Sequence, residues 1–333
     1  MGKLYEQIYE WGNLLRAWHR VKAKKGSPGS DRITVSQFDH EHIYRLQQIQ
    51  KTLEERLYHP APLLSFQVNK PNKPNEKRHL CIPTVTDRIV QHATLAVITP
   101  GLENRFTEYS YAYRPGRSIL TAVAKIQQLR DNGHSWVLHA DIQSFFDSIN
   151  HSILKTRIRK YIFDKHIQEL LGCWAQAEFL ENRTTKRTYT HRRGIPQGNV
   201  VSPLLANLYL DQFDEAVVAP GYELVRYADD LLVLCREQNE IEMALQHIKD
   251  LLPQWDLKLN ESKTQMLNFT DGFNFLGTEF NQMSIKLPDF SQKKSPKKIP
   301  VSIATQSIQE PTGIPMIPLS APKSEPPTLI EIP

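Results

Sequence analysis

Apolar residues fall three and four apart along YEQIYEWGNLLRAWHRVKA, the period of helices that bury one face. KKGSPGSD, residues 24–31, interrupts that pattern with glycine and proline, and TVSQFDHEHIYRLQQIQKTLEERL resumes it. The first 60 residues therefore read as helical. NKPNKPNEKRH reads as a polar loop, and LCIPTVTDRIVQHATLAVI as a short strand running into an apolar helix. In SWVLHADIQSFFDSI the pattern predicts a strand over residues 136–140, then a turn and a helix. HRRGIPQGNVVSPLLANLYLDQFDEAV is a glycine- and proline-punctuated loop opening a long helix near Ser202. ELVRY and LLVLC flank a pair of aspartates as an apolar strand–turn–strand. EIEMALQHIKDLLPQW is an amphipathic helix, and FNFLGTEF has strand character. From Pro288 onward, ten prolines in 46 residues and no sustained period predict an extended linker or disordered tail.

Composition adds bounds. With 333 residues, 40% hydrophobic and 23% charged, the chain has the makeup of a globular protein of two or three domains. It has no apolar run of the ~18 residues that a membrane-spanning helix needs, so no membrane association is expected. The first residues lack a signal peptide's basic-then-apolar order, and Cys81, Cys173 and Cys235 form neither a disulfide framework nor a zinc spacing. A reducing cytoplasm is the expected compartment. The net charge of +5 hides an asymmetry. Residues 1–130 carry 20 Lys and Arg against 11 Asp and Glu, whereas residues 131–290 carry 16 against 22. A basic section followed by an acidic one suits a polyanion grip beside a metal-binding centre, although solvated charged faces would give the same counts.

The paired carboxylates of Asp229 and Asp230 raise the chemical question. Asp-Asp is common in tight turns, where Asp bonds its own backbone. Two like charges at close range also raise each other's pKa unless a cation lies between them. Asp141, at the end of an apolar strand, is the candidate third carboxylate. Asp147 reads as a charge at the start of the following helix. Three carboxylates around two Mg²⁺ ions, with Mn²⁺ as a possible substitute, are what nucleotidyl transfer needs. Donors for a triphosphate would come from elsewhere, and Lys70, Lys73, Lys77 and Arg78 supply a basic loop. Solvation alone is the other reading of that loop.

RYADDLLVL resembles the YxDD motif of reverse transcriptases, and ADIQSFFDSI resembles their first catalytic-aspartate motif. RRGIPQGNVVSPLLANLYLDQFD is similar to the PQG motif of the bacterial group II intron-like branch. KKGSPGSDRIT, RHLCIPTVTDRIVQHA, YAYRPGRS, LKLNESKTQ and FNFLGTEF follow in that branch's order, so the resemblance covers residues 10–290. It implies an α+β right-hand polymerase fold with fingers and an antiparallel palm, acting as an RNA-directed DNA polymerase on an RNA template, a DNA or RNA primer and dNTPs.

Carried over by position, Asp141 and Asp229 would ligate both metals, Asp230 would support them, and Ile142 would offer its carbonyl. Phe145 would lie under the deoxyribose and exclude a 2′-hydroxyl, with burial in the core as its other reading; Phe146 reads as core. Arg78 and Lys73 match the triphosphate-binding pair, in a segment one residue shorter than usual, so that Lys70 or Lys77 could take the lysine's part. Gln197 and Gly198 match the motif packing against the incoming base and template. Ser202, Pro203 and Asn207 read as structural. Lys263 matches a lysine near the leaving pyrophosphate, a candidate general acid, with a surface lysine as the alternative. Phe275, Leu276 and Gly277 resemble the primer grip. Arg114 and Arg117 would touch template or brace the fingers.

Three sections are expected: an N-terminal extension with fingers over 1–130, a palm over 131–290, and a Pro-rich linker or tail over 291–333. No helical thumb, maturase segment or nuclease motif follows residue 280, so the thumb is expected to be lacking or truncated. YAYRPGRS, NLYLDQFDEAV and GFNFLG most resemble the CRISPR-associated branch, which implies spacer acquisition from RNA and a CRISPR integrase fused or associated downstream. A stand-alone retroelement or intron polymerase is the rival enzyme reading. A catalytically idle nucleic-acid-binding scaffold is the rival of another class.

Overall fold

A computed structural model of the chain describes residues 3–70, 73–182 and 187–288. They belong to one compact unit, Met1–Pro288. The tail expected over residues 291–333, and with it the expected lack of a thumb, lies outside the described residues.

Helices α1 (Lys3–Tyr9), α2 (Trp11–Lys24), α3 (Val35–His40) and α4 (His42–Glu54) precede β1 (Leu64–Lys70) and β2 (Lys73–Ile82). Next come α5 (Val85–Glu103), α6 (Ile119–Asp131), β3 (Trp136–Asp141), α7 (Phe145–Ser148), α8 (His151–Tyr161) and α9 (Lys165–Ala175). A hairpin of β4 (Glu178–Asn182) and β5 (Arg187–Thr190) leads to α10 (Ser202–Val218), β6 (Glu223–Tyr227), β7 (Asp230–Cys235) and α11 (Gln238–Leu251). Strands β8 (Gln265–Asn268), β9 (Phe273–Phe275), β10 (Thr278–Phe280) and β11 (Ile285–Lys286) complete the unit. Side-chain caps set several helix starts. Thr34 and Gln37 cap α3 reciprocally, and Thr84 accepts from Asp87 N–H at the start of α5.

The segment read as a polar loop, residues 69–79, is instead strand wherever it is described, at 69–70 and 73–79. β1 and β2 pair antiparallel from Leu64↔Ile82 to Asn69↔Lys77, with a register shift between Asn69 and Lys70. β1 alternates Leu64, Phe66 and Val68 with polar residues, but the β2 stretch 73–79 facing its end is polar and reads as loop, and Pro74 is tolerated beside the irregularity. The β4–β5 hairpin had no signal either. It joins the first hairpin through Leu63, whose N–H reaches Glu178 O at 2.7 Å and whose carbonyl accepts from Leu180 N–H at 2.9 Å.

The central sheet is antiparallel in the order β6–β7–β3–β8. Both its faces are covered. Leu138, Ala140, Leu231, Val233 and Cys235 join the large core with α10 and α11. Val137, Leu232 and Leu234 pack with Val123 and Ile126 of α6 and with Phe269, Phe273, Phe275 and Phe280. Burial on two faces is why β3, β6 and β7 read as apolar-rich runs rather than strict alternations.

Arg226 on β6 is 1% exposed and forms a bidentate pair with Asp214 of α10, both contacts at 2.6 Å. Its Nη1 also donates to Asn207 Oδ1 and to the Ala228 carbonyl, each at 3.1 Å. Asn207 accepts from Ser110 Oγ and donates to Ala112 O. The Arg226 backbone bonds Tyr109 O at 2.8 Å and receives Tyr111 N–H at 2.9 Å, so residues 109–112 lie along β6. Arg114 and Arg117 both donate to Ser110 O at 3.2 Å, and Arg114 pairs with Glu103 at 3.0 Å. The two arginines of YRPGRS brace this segment. Removing one member of a buried pair strands the other's charge, so Asp214→Ala should lower stability by about 3–5 kcal/mol in denaturant unfolding. Asp214→Ala combined with Arg226→Met should lose less than the single variant. Equal losses would show that the charge pair does not carry the effect.

Candidate active site

β6 and β7 are joined through Ala228 and Asp229, with Tyr227 paired to Asp230. Ala228 is held at φ 59°. A left-handed alanine costs about 1–2 kcal/mol, and the Arg226 bond to its carbonyl opposes that strain. On the neighbouring strand, Asp141 is the register partner of Asp230. Ile142 N–H reaches the Asp229 carbonyl at 3.4 Å. The fold thus brings Asp141, Asp229 and Asp230 to one end of the sheet. Asp141 is 4% exposed, whereas the Asp230 side chain is 41% exposed.

Residues 258–264 clamp the end of β3. Gln143 N–H bonds Lys258 O at 2.9 Å and Asn260 N–H bonds Asp141 O at 2.8 Å. Asn260 Nδ2 donates to Asp141 Oδ2 at 2.7 Å, and Lys263 Nζ reaches both Asp141 oxygens, at 3.0 and 2.9 Å. Asn260 was not singled out from the sequence, although LKLNESKTQ contains it three residues before Lys263. Partial burial pulls the Lys263 pKa down, but Asp141, Asp230 and Asp229 outweigh it and hold the ammonium above its ordinary value. Burial, with the like charges of Asp230 and Asp141, pushes Asp229 up to about 6.

Among the described residues no three His, Cys, Asp or Glu side chains form a preformed metal cage. Mg²⁺ does not require one, because it is ordinarily held by one or two carboxylates together with substrate phosphates. The donors here suit it: oxygen ligands only, and a carboxylate whose raised proton affinity a nearby cation would relieve. Lys263 meanwhile compensates Asp141.

The other expected residues fall around this centre. Gln197 O accepts from Cys81 N–H at 2.7 Å, which ties its loop to the base of β2. Gly198 has φ 120°, and a Cβ there would lie 2.1 Å from Cys81 O, so only glycine fits. Lys73 and Arg78 lie on β2, with side chains outside the described residues. Ile142 is buried and bridges Leu259. Asp147 is in the first turn of α7, as expected. Phe145 is 1% exposed, packed edge-on to Phe146 at 5.5 Å and Tyr209 at 6.3 Å. Phe146 is the more accessible ring. Leu276 and Gly277 connect β9 to β10 with φ 52° and 76°, the two left-handed residues of a type I′ hairpin turn. Phe275, just before them, meets His139 edge-on at 5.3 Å. His139 was missed, since a lone histidine in an apolar strand carries no spacing signal.

Residues 68–280 match the family model for reverse transcriptase (RNA-dependent DNA polymerase). The chain belongs to the reverse transcriptase family. It is 28% identical over 309 residues to protein YkfC of Escherichia coli K12, covering 80% of this chain and 79% of YkfC. It is 34% identical over 218 residues to the group II intron-encoded protein LtrA of Lactococcus lactis, covering 65% of this chain and 35% of LtrA. The telomerase of Candida albicans superposes with TM-score 0.57 at 13% identity, over 77% of this chain and 50% of that one, a likeness of fold alone. The fold is therefore the expected fingers-and-palm arrangement, and the enzyme is a group II intron-like reverse transcriptase, an RNA-directed DNA polymerase. Among the described residues no helix is long and apolar enough to cross a membrane.

Because Asp229 moves from 3.8 to about 6, the folded reverse transcriptase holds that proton more tightly than the unfolded chain does. Its contribution to stability is complete below the unfolded value and lost as pH rises through the folded one. In chelator, Asp229→Asn should melt with the parent near pH 4 and above it beyond about pH 6. A difference in melting temperature that is constant across this range would overturn the raised pKa.

Proposed function

We propose that this reverse transcriptase adds deoxynucleotides to a primer 3′-hydroxyl, on RNA and also on DNA templates, at the site formed by Asp141, Asp229 and Asp230. The supporting observation is the register that sets Asp141 opposite Asp230, with Asp229 in the adjoining turn. A nucleic-acid-binding scaffold has no use for such a concentration of repelling carboxylates. Asp141, Asp229 and Asp230, with the Ile142 carbonyl, would hold two Mg²⁺ ions. Bound there, the cations would acidify the primer hydroxyl and neutralise charge on the leaving pyrophosphate. Lys263 keeps its proton on Nζ beside the carboxylates and would release it to the departing pyrophosphate. Lys73 and Arg78 would bind the triphosphate, with Gln197 and Gly198 against the incoming base and template. Phe275, Leu276 and Gly277 would hold the primer strand.

The biological role proposed is spacer acquisition from RNA, with a CRISPR integrase fused or associated downstream. YAYRPGRS, NLYLDQFDEAV and GFNFLG support it through their resemblance to that branch. Intron mobility is the second reading, favoured by the likeness to LtrA.

Asp141→Ala or Asp229→Ala should abolish primer extension with Mg²⁺ and leave primer–template binding at low salt nearly unchanged, because phosphate contacts dominate affinity there. Extension at the parent rate would overturn the site. In cells carrying the intact locus, Asp229→Ala should also remove new spacers that span RNA splice junctions. Their persistence would overturn the acquisition role.

Sugar selection is tested separately. If Phe145 lies under the deoxyribose, Phe145→Ala admits ribonucleotides. If its burial is purely a core role, the variant loses about 3–5 kcal/mol of stability with unchanged sugar preference, and Phe146→Ala is the one to relax it.

A further inference from the structure

We propose that His139 is a positioning residue that couples the Phe275–Leu276–Gly277 hairpin to Asp230, so that seating the primer end and orienting this carboxylate become one event. The inference rests on the active-site reading above.

His139 lies on β3, two residues before Asp141, and its register partners are Leu232 on β7 and Gln265 on β8. The backbone is therefore fixed from both sides, and strand alternation puts its side chain on the face shared by Val137 and Asp141. That face carries the aromatic cluster of Phe269, Phe273, Phe275 and Phe280. Across the β3–β7 pair, His139 is the diagonal neighbour of Asp230, within reach of a long side chain. Its Nε2 stands 3.7 Å from Asp230 Oδ1. The same Nε2 is shielded from solvent and has no hydrogen-bond partner among the described residues. On its other side the ring meets Phe275 edge-on, centroids 5.3 Å apart and planes at 88°.

A buried ring nitrogen without a partner is unfavourable. Among Val137, Leu232 and Phe275 an apolar side chain would fill the space without that penalty. What an apolar side chain could not do is donate to Asp230. The 3.7 Å separation is too long for a formed bond and short enough that a small shift of the ring closes it. Phe275 is 2% exposed and immediately precedes the left-handed pair Leu276 and Gly277, so pressure on that turn is transmitted through its ring to the imidazole. A primer strand settling on the turn would push His139 toward Asp230, and Nε2–H would then fix one carboxylate oxygen. The arrangement needs only a neutral imidazole with its proton on Nε2.

The test uses the full chain with three variants, His139→Phe, His139→Gln and His139→Ala, beside Asp229→Ala as control. Primer KM, dNTP KM, kcat and melting temperature are measured together. His139→Phe keeps a ring against Phe275 and lacks the donor; kcat should fall about tenfold or more with primer KM little changed, the usual scale for losing such a supporting partner. His139→Gln restores a donor and should recover most of kcat. His139→Ala removes both and should raise primer KM as well. If kcat is unaffected in His139→Phe, or if losses in all three simply follow melting temperature with no rescue by Gln, the coupling is overturned. An active Asp229→Ala control would overturn the site itself. An inactive one beside an unaffected His139→Phe would overturn only the coupling.

Discussion

The buried pair of Arg226 and Asp214 is the constraint on which the site depends. Taking a guanidinium and a carboxylate out of water is strongly unfavourable unless every donor and lone pair finds a partner. Here Nε and Nη2 go to the two Asp214 oxygens, while Nη1 divides between Asn207 and the Ala228 carbonyl. Satisfying one arginine therefore fixes four things at once: α10 through Asp214 and Asn207, the segment 109–112 through Asn207 and the backbone, β6 itself, and the strained turn at Ala228. An apolar residue of the same volume could fill the space. It could not hold a carbonyl belonging to a left-handed alanine, and the carboxylate that follows would lose its fixed direction.

Above this neutralised pair the balance of charge is deliberately incomplete. Asp141, Asp229 and Asp230 meet at the sheet end, and Lys263 is bonded to Asp141 alone. Asp229 stays buried and under repulsion from its neighbours, and the two together push its pKa up. A site fully compensated by its own side chains would have little affinity left for cations and a triphosphate. The clamp by Asn260 shows how direction is kept while charge is left over, since a neutral amide orients Asp141 Oδ2 without cancelling its charge.

What was legible in the sequence follows from burial. The N-terminal helices and the long α10 show their period, and β3, β6 and β7 show apolar-rich runs because both faces of their sheet are covered. The paired aspartates stood out because charge interrupts those runs. The β1–β2 ribbon did not, since β2 opens with a polar, proline-containing stretch, residues 73–79, that reads as loop. Arg226 looked like any strand-end arginine: its partner sits 12 residues away on another element, and only tertiary packing reveals both as buried. Gly198 could be matched as a motif residue, yet its reason, the Cys81 carbonyl where a Cβ would go, is a contact across more than a hundred residues. The exposures of Phe145 and Phe146 were equally hidden. They are set by a short helix entered through Ser144 at φ 46°, a conformation that no neighbouring residue type announces.

A sheet covered on both faces leaves chemistry only its edges and ends. Side chains in mid-strand are committed to one core or the other, so reactive groups that must meet solvent, cations and a primer belong where strands stop. Asp141 ends β3, Asp230 begins β7, and Asp229 occupies the turn between strands. The β9–β10 hairpin, proposed above to hold the primer, obeys the same rule. Its anchor, Phe275, is buried in the aromatic cluster that covers the central sheet, Leu276 packs against the same cluster, and Gly277 is exposed at the turn. Both halves of the site are thus cantilevered from one packed aromatic layer. Close packing resists displacement, so the spacing between the β9–β10 turn and the carboxylates is set by the core rather than by flexible loops. His139, a polar ring against that layer, sits between Phe275 and Asp230.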